Sequence, residues 1–390
     1  MLSVITGAII IYFFIESQGF RFVSEKAGAP FPITEELGQT PLQFPMVKDT
    51  TLQNVIILIG DGMGINQVEL TRYRYKGING RLEMERLPIF GLVETKPADD
   101  ELITDSAAGA TALATGKKTR NGMVGMTPDS VVAPTILEAL QKRGWSTGLI
   151  TTSAITDATP ASFATHVPDR GMQHEIAMQM AAKKINFLAG GRAGFEGIYP
   201  TQKMAIDKYA QKNLGYTVIK DRQDFGELND SLNMVLFDNV PDDVTSERTE
   251  AMADLSELTQ LAIDKLSQKG PFFLLVEQEG TDTGGHVNDA DYLTESLKEL
   301  DDAVAVALKF AAQNQQTIVL VTADHETGGL TFNEGARGKA VQLNWATTRH
   351  TGQPVPLYAY GPYAHYFSGK MDNTDVPKRL GRALDLKEFR

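Results

Sequence analysis

Three short runs limit what this chain can fold into: NVIILI at 54–59, PFFLLV at 271–276 and TIVLVT at 317–322. Each is apolar without alternation and rich in β-branched or aromatic residues, the pattern of a strand buried on both faces of a parallel sheet. Each then stops at a polar loop that carries acids: GDGMG with Asp61, EQEGTDTGGH with Glu277, Glu279, Asp282 and His286, and ADHETGG with Asp324 and His325. Helical patterns lie between and around the runs, at 134–142, 172–183, 201–213, 249–268, 291–310 and 376–384. Further strands are expected at 145–151, 187–188, 234–237 and in VPLYAY at 355–360. This alternation predicts a three-layer αβα sandwich around a large, mostly parallel sheet, with ligands bound at the carboxyl edge of the strands.

The stretch TDSAAGATALATGKKT at 104–119 sets a serine at the head of a helix of small residues. Asp105 and Ser106 suit the N-cap and first turn, and Gly116 suits the end. Unpaired backbone NH groups and the positive end of the helix would stabilise an alkoxide and an arriving anion, which makes Ser106 a candidate nucleophile for phosphate. Plain capping is the alternative that this stretch alone leaves open. Asp157 and Thr159 occupy a second loop after a strand, HVPDR puts Arg170 just before a helix, and His350 stands ahead of VPLYAY. Three of the six histidines, His286, His325 and His350, thus join Asp61, Asp282 and Asp324 as two mixed nitrogen and oxygen sets that suit zinc. Glu277 and Thr159 with a shared Asp61 offer oxygen alone, which suits magnesium. A single aspartate between glycines is ordinary turn chemistry, and a single histidine in a loop is ordinarily a surface or capping residue. Repetition over four separate loops is what favours a metal-assisted site.

Composition removes competing classes. A formal net charge of −12 speaks against a nucleic-acid binder, so an anionic substrate would depend on bound cations. The chain has no cysteine, which excludes disulfides, thiolate metal sites and cysteine nucleophiles. GDGMGINQ lacks the third glycine of a dinucleotide loop, and Gly109 and Gly116 bracket six residues before Lys117 where a P-loop needs four. Residues 1–29 read as a signal-peptide-like or anchor segment, 30–50 as a linker and 51–390 as one catalytic domain. Export to the periplasm or beyond is expected, with a retained N-terminal membrane anchor as the alternative, because no Lys or Arg precedes the apolar run at 2–15.

Taken together, NVIILIGDGMG, TDSAAGATALATGKKT, DATPASFATHVPDR, EQEGTDTGGH, VTADHETGG and HTGQPVPLYAYGP resemble the alkaline phosphatases in order and spacing, from residue 54 to residue 367. The resemblance implies a homodimeric, exported phosphomonoesterase with a phosphoserine intermediate, two zinc ions and one magnesium ion. It implies Ser106 as nucleophile and Arg170 as the guanidinium that binds phosphate. Asp282, His286 and His350 would hold one zinc, and Asp61, Asp324 and His325 the other. Asp61 would bridge to a magnesium also bound by Thr159 and Glu277. Phosphodiesterases and sulfatases of the same superfamily are the rival reading, disfavoured by the serine in TDSAAG, and a catalytically silent anion- or metal-binding protein is a third.

The sequence departs from that family at a few places. Asp157 matches the members that carry Asp beside the third metal, where it favours magnesium and can orient Arg170. Thr283 stands near the phosphate where Lys, His or Trp is common, so Thr283→Lys should strengthen inhibition by phosphate. Glu279, in a VEQEG string, is a rival ligand if it shares a strand face with Glu277. The stretch 329–348 is short for the family's crown insertion, which implies reduced dimer contacts there.

Overall fold

A computed structural model of the chain describes residues 30–34, 44–238, 240, 252–336 and 339–389. Its centre is a sheet of ten strands, in spatial order Gly369–Asp372, Ile89–Glu94, Val355–Tyr360, Thr317–Thr322, Asn54–Gly60, Phe272–Gln278, Ser146–Ala154, Phe187–Gly191, Leu232–Phe237 and Tyr216–Ile219. The three apolar runs form the three central strands, and every residue of those strands is buried. Helices Ile65–Lys76, Leu255–Ser267 and Ala290–Asn314 cover one face. Helices Ser106–Thr115, Ile136–Lys142, Ala158–Ala164 and Asp375–Ala383 cover the other, so the architecture is the expected αβα sandwich.

Register decides what reaches the edge. Ile59 pairs with both Glu277 and Thr322, and Glu277 pairs in turn with Thr151. The strands therefore finish level, and Asp61, Asp324 and Glu277 emerge side by side. Val355–Tyr360 is different, because it runs antiparallel to Thr317–Thr322 on one side and to Ile89–Glu94 on the other. Its direction carries the residues before the strand, rather than after it, to the same edge. His350 arrives there for that reason.

The helix Ser106–Thr115 is buried along its whole length, between the sheet and the helices Ala158–Ala164 and Asp375–Ala383, which explains a composition apolar on all sides. Gly109 lets it approach the sheet, since a Cβ there would lie 2.8 Å from the carbonyl oxygen of Asp324. Gly62, at φ +71°, makes a similar close approach to the backbone of Asp282.

Several elements differ from the sequence expectations. Residues 30–32, read as linker, form a strand that pairs with Ala340–Trp345, and Phe31 and Ile33 enter a small second core with Leu70, Leu330, Val341 and Leu343. Any linker therefore begins only after Thr34, and residues 35–43 lie outside the described residues, as do 1–29. The short insertion at 329–348 is a hairpin of Leu330–Ala336 and Ala340–Trp345. The segment 201–213 holds only one helical turn, Ile206–Tyr209, before a π turn at Ala210–Leu214. Glu279 is not on a strand face: Phe272–Gln278 ends before it, and it starts the short helix Gly280–Val287.

Candidate metal-assisted active site

Asp105 caps the Ser106 helix by accepting the NH of Ala108 at 2.9 Å, and its second oxygen accepts the NH of Gly122 at 2.9 Å. That second oxygen also lies 3.6 Å from Arg170 Nη1, while Arg170 Nη2 donates to Asp157 at 2.9 Å. Two carboxylates thus hold the guanidinium from either side. Asp157 is itself fixed as the cap of Ala158–Ala164 and by the hydroxyl of Ser153 at 3.1 Å. Burial works against the charge of Arg170, yet Asp157 and Asp105 hold its pKa above the ordinary value. The arginine is a permanent, aimed cation, and Asp105 does more than cap.

Ser106 Oγ lies 3.3 Å from His325 Nε2. The same nitrogen is 3.3 Å from Asp61 and 3.3 Å from Asp324, all three groups being buried. Next to this set, Asp282 receives His286 Nε2 at 3.1 Å and has His350 Nε2 at 3.5 Å, and the two histidine nitrogens are 3.2 Å apart. The ring of His325 stacks on that of His350 with centroids 3.6 Å apart, so the two sets touch. Two trios have donor atoms within 4.8 Å of one another: Asp61, Asp324 and His325, and Asp282, His325 and His350. His286, the most exposed of the three histidines about Asp282, adjoins the second trio instead of belonging to it.

The outer nitrogens of the rings are committed. His286 Nδ1 meets the carbonyl of Thr348 at 2.8 Å, and His350 Nδ1 meets that of Thr104 at 2.8 Å. A carbonyl can only accept, so each Nδ1 carries its proton and each Nε2 is the nitrogen turned toward Asp282, a donor to it where the ring is charged and a free lone pair for an ion where the ring is neutral. Thr327 joins the two sets, since its hydroxyl donates to Asp282 and lies 3.3 Å from His325 Nδ1.

Several buried oxygens here have no hydrogen-bond partner: one each on Asp61 and Asp324, the hydroxyl of Thr159, and one on Glu277. Buried polar atoms are almost always paired, and four such oxygens in one place fit cations better than any protein donor. Electrostatics agree. Burial, then the charge of Asp282, pushes Asp324 up to about 8, and burial, then Asp157, does the same to Glu277. Asp61 is raised strongly by burial and by Asp324. Burial also opposes the ionisation of Asp282, but the bond from His286 and the nearby His325 and His350 hold it well below the usual range. His286 is pushed up to about 9 by that bond, whereas burial, then His350, keeps His325 well below its ordinary value. Each of these groups would have its charge state set by an ion placed among them, and the donor chemistry fits zinc and magnesium.

The structure therefore gathers Ser106, Arg170, Asp157 and the eight expected ligand residues at one edge. Thr283 sits one turn into the helix Gly280–Val287, where its hydroxyl donates to Glu279 at 2.7 Å. Sequence reasoning overlooked Thr327 and also Glu326, which is buried and accepts from Gln67, the NH of Gly329 and the hydroxyl of Thr351 beside His350. The only signal for either was their place in HETGG, directly after a candidate ligand.

A family model described as alkaline phosphatase matches residues 52–342 and 333–386. Alkaline phosphatase 3 of Bacillus subtilis is 31% identical over 418 residues, covering 85% of this chain and 89% of the relative. Streptomycin-6-phosphate phosphatase of Streptomyces griseus is 32% identical, covering 86% and 91%. Among solved structures, the alkaline phosphatase of the Antarctic bacterium TAB5 superposes with a TM-score of 0.77 at 33% identity, covering 86% of this chain and 99% of that one. A variant of that enzyme with a histidine changed to aspartate, and with Mg bound in its M3 site, gives a TM-score of 0.75 at 32% identity, covering 87% and 99%.

Proposed function

The chain belongs to the alkaline phosphatase family and is a phosphoric monoester hydrolase, and from that premise we propose that it works through a phosphoserine on Ser106 at a site for two zinc ions and one magnesium ion. One observation carries the reading: a serine hydroxyl at a helix N-terminus, 3.3 Å from a buried histidine, beside carboxylates whose oxygens have no partner.

Asp61, Asp324 and His325 would hold one zinc, Asp282, His286 and His350 the other, and Thr159, Glu277 and Asp61 the magnesium. Bound there, these ions would offset the charge of phosphate, favour the ionised serine and activate water. The aspartate variant of the TAB5 enzyme, which carries Mg in its M3 site, is in keeping with Asp157 favouring magnesium here. The remaining work falls to side chains and backbone. Arg170, aimed by Asp105 and Asp157, pairs two phosphate oxygens and fixes the phosphorus in line with Ser106. The bond from Oγ to phosphorus forms as the bond to the alcohol oxygen breaks, and the NH groups of the first helical turn face the growing negative charge. Water then displaces Oγ from phosphorus, releasing phosphate and restoring the serine. Since most of the recognition is spent on phosphate, the leaving group is only loosely specified.

An exported homodimer fits the same reading, with the hairpin at 329–348 contributing a small part of the contact. Among the described residues, no helix is long and apolar enough to cross a membrane.

The deciding experiment is hydrolysis of a chromogenic phosphate monoester against the corresponding diester and sulfate ester, with and without a chelator. The monoester should be the fastest substrate, and exhaustive chelation should abolish its turnover. Full activity after chelation, or preference for the diester, would refute the reading.

A further inference from the structure

The segment Glu326–Thr327 is a strand of two residues, paired antiparallel with His350–Thr351 so that Glu326 faces Thr351 and Thr327 faces His350. His350, a candidate ligand, therefore has its backbone placed by a very short ladder. One more backbone bond lies beside it, from the NH of Gly328 to the carbonyl of Arg349 at 3.0 Å. A pair of strands this short is not stable by itself, so its alignment depends on side chains that clamp it.

Glu326 supplies such a clamp. Its chain neighbours face the site: His325 Nε2 lies 3.3 Å from Ser106 Oγ, and the hydroxyl of Thr327 donates to Asp282. Its own side chain, with the residue only 1% exposed, turns the other way and accepts three bonds. Oε1 takes the amide of Gln67 at 2.5 Å and the NH of Gly329 at 2.9 Å, and Oε2 takes the hydroxyl of Thr351. Gln67 is buried as well, and the same amide reaches the carbonyl of Thr327 at 2.9 Å. Gly64, in the loop that follows Asp61, closes the space behind, because a Cβ there would collide with Cγ of Glu326.

Both oxygens of Glu326 are thus occupied, whereas Asp61, Asp324 and Glu277 each keep one with no partner. A carboxylate saturated by protein donors is poorly placed to take an ion and well placed to fix the residues that do. It ties together the segments that carry Asp61, His325 and His350. We propose that Glu326 is a positioning residue, which holds His350 in place for zinc by way of the Thr351 hydroxyl. The proposal rests on the metal-assisted reading above and extends it to a residue that touches neither metal nor phosphate.

The test reads zinc binding besides turnover, in the full chain stripped of metal and reloaded with zinc alone. Thr351→Val keeps the shape of the side chain and removes the hydroxyl, and Glu326→Ala removes the whole clamp. Each should weaken one of two zinc sites, the one that depends on His350, about 10- to 100-fold in competition with a fluorescent chelator. Thr351→Ser, which restores the hydroxyl, should recover the wild-type affinity within about threefold. Both single changes cut the same link, so the double variant should bind zinc no more weakly than Glu326→Ala, within about twofold. Cobalt(II) in place of zinc gives a visible spectrum that reports ligand geometry, and this should change in Thr351→Val and return in Thr351→Ser. Wild-type zinc affinity and an unaltered cobalt spectrum in Thr351→Val would overturn the proposal, as would losses in the two single variants that simply multiply in the double one. If Glu326→Ala does not fold, the comparison of Thr351→Val with Thr351→Ser decides the matter. Wild-type protein that binds no zinc would be a different result, and would count against the metal-assisted reading itself.

Discussion

Glu138, only half buried, and the buried acids of the candidate site are treated in opposite ways in this chain. Burial alone would push Glu138 up, but the ring of His166, the ammonium of Lys183 and the NH of Thr135 hold it down to about 2. At the catalytic edge, Asp61, Glu277 and Asp324 keep oxygens without a partner, and burial with mutual repulsion drives Glu277 and Asp324 up to about 8. The protein completes Glu138 from its own side chains and backbone. The set at the catalytic edge is complete only with something supplied from outside. In an acid-rich chain, the place to look for chemistry is therefore where burial is left uncompensated, not where acids are most numerous.

Ser106→Ala applies the strongest pressure to this contrast, because it removes the proposed nucleophile and leaves both sets of acids intact. Turnover of a chromogenic monoester should fall by at least about 10³-fold, phosphoprotein should no longer be trapped at low pH, and the melting temperature should stay within about 2 °C. Chelation tests the uncompensated set itself. Glu277 and Asp324 have folded pKa values above the unfolded range near about 4, so their stabilising contribution is present at low pH and is lost as pH rises through about 8. Stripped protein should thus lose several degrees of melting temperature between about pH 5 and pH 9, while protein loaded with zinc and magnesium stays level. Parallel profiles would mean that these acids carry no ions. Arg170→Lys keeps a charge between Asp105 and Asp157 but loses the planar fork, and kcat/KM should drop about 10- to 100-fold with weaker inhibition by phosphate. The smallest effect belongs to the compensated set. Glu138 has a lowered folded pKa, so its contribution is present above the unfolded value of 4.5 and disappears as pH falls through about 2. Glu138→Gln should cost about 1 kcal/mol in urea unfolding near pH 7, allowing for solvent screening, with the difference closing as the solution is acidified and activity unchanged. Lost activity in that variant would break the distinction between the two sets.

Local pattern made part of the molecule legible in the sequence. Asp61 and Asp324 come two residues after buried strand runs, and a buried strand announces itself by composition, so their arrival at one edge could be read. The helix at Ser106 was legible from its cap and its closing glycine, and Gly116 does adopt φ +70°. What escaped depended on contacts between distant segments. Asp105 reads as a cap, but its hold on Arg170 requires knowing that 105 and 170 meet. Thr327 is an ordinary loop threonine until Asp282 is found against it. The strand Ile89–Glu94 is only half buried near the side of the sheet, and the helix Ile65–Lys76 buries Gln67 and Arg72 along with Val68 and Leu70, which blurs its apolar stripe. Pro30–Pro32 has a poor strand composition, and it pairs because Phe31 and Ile33 are taken up by the hairpin core.

The position of Asn54–Gly60 between Phe272–Gln278 and Thr317–Thr322 has a consequence for how the molecule is made. Synthesis delivers this strand early, yet both of its hydrogen-bonding neighbours emerge only in the last third of the chain. Until then this fully buried apolar strand has two open edges, which are the surfaces on which nascent chains stick to one another. The same delay keeps Asp61 and Ser106 apart from Asp282, Asp324 and His350 for most of translation. A prematurely terminated chain is consequently inert and adhesive rather than partly active, and the burden of production falls on whatever shields that one strand while it waits.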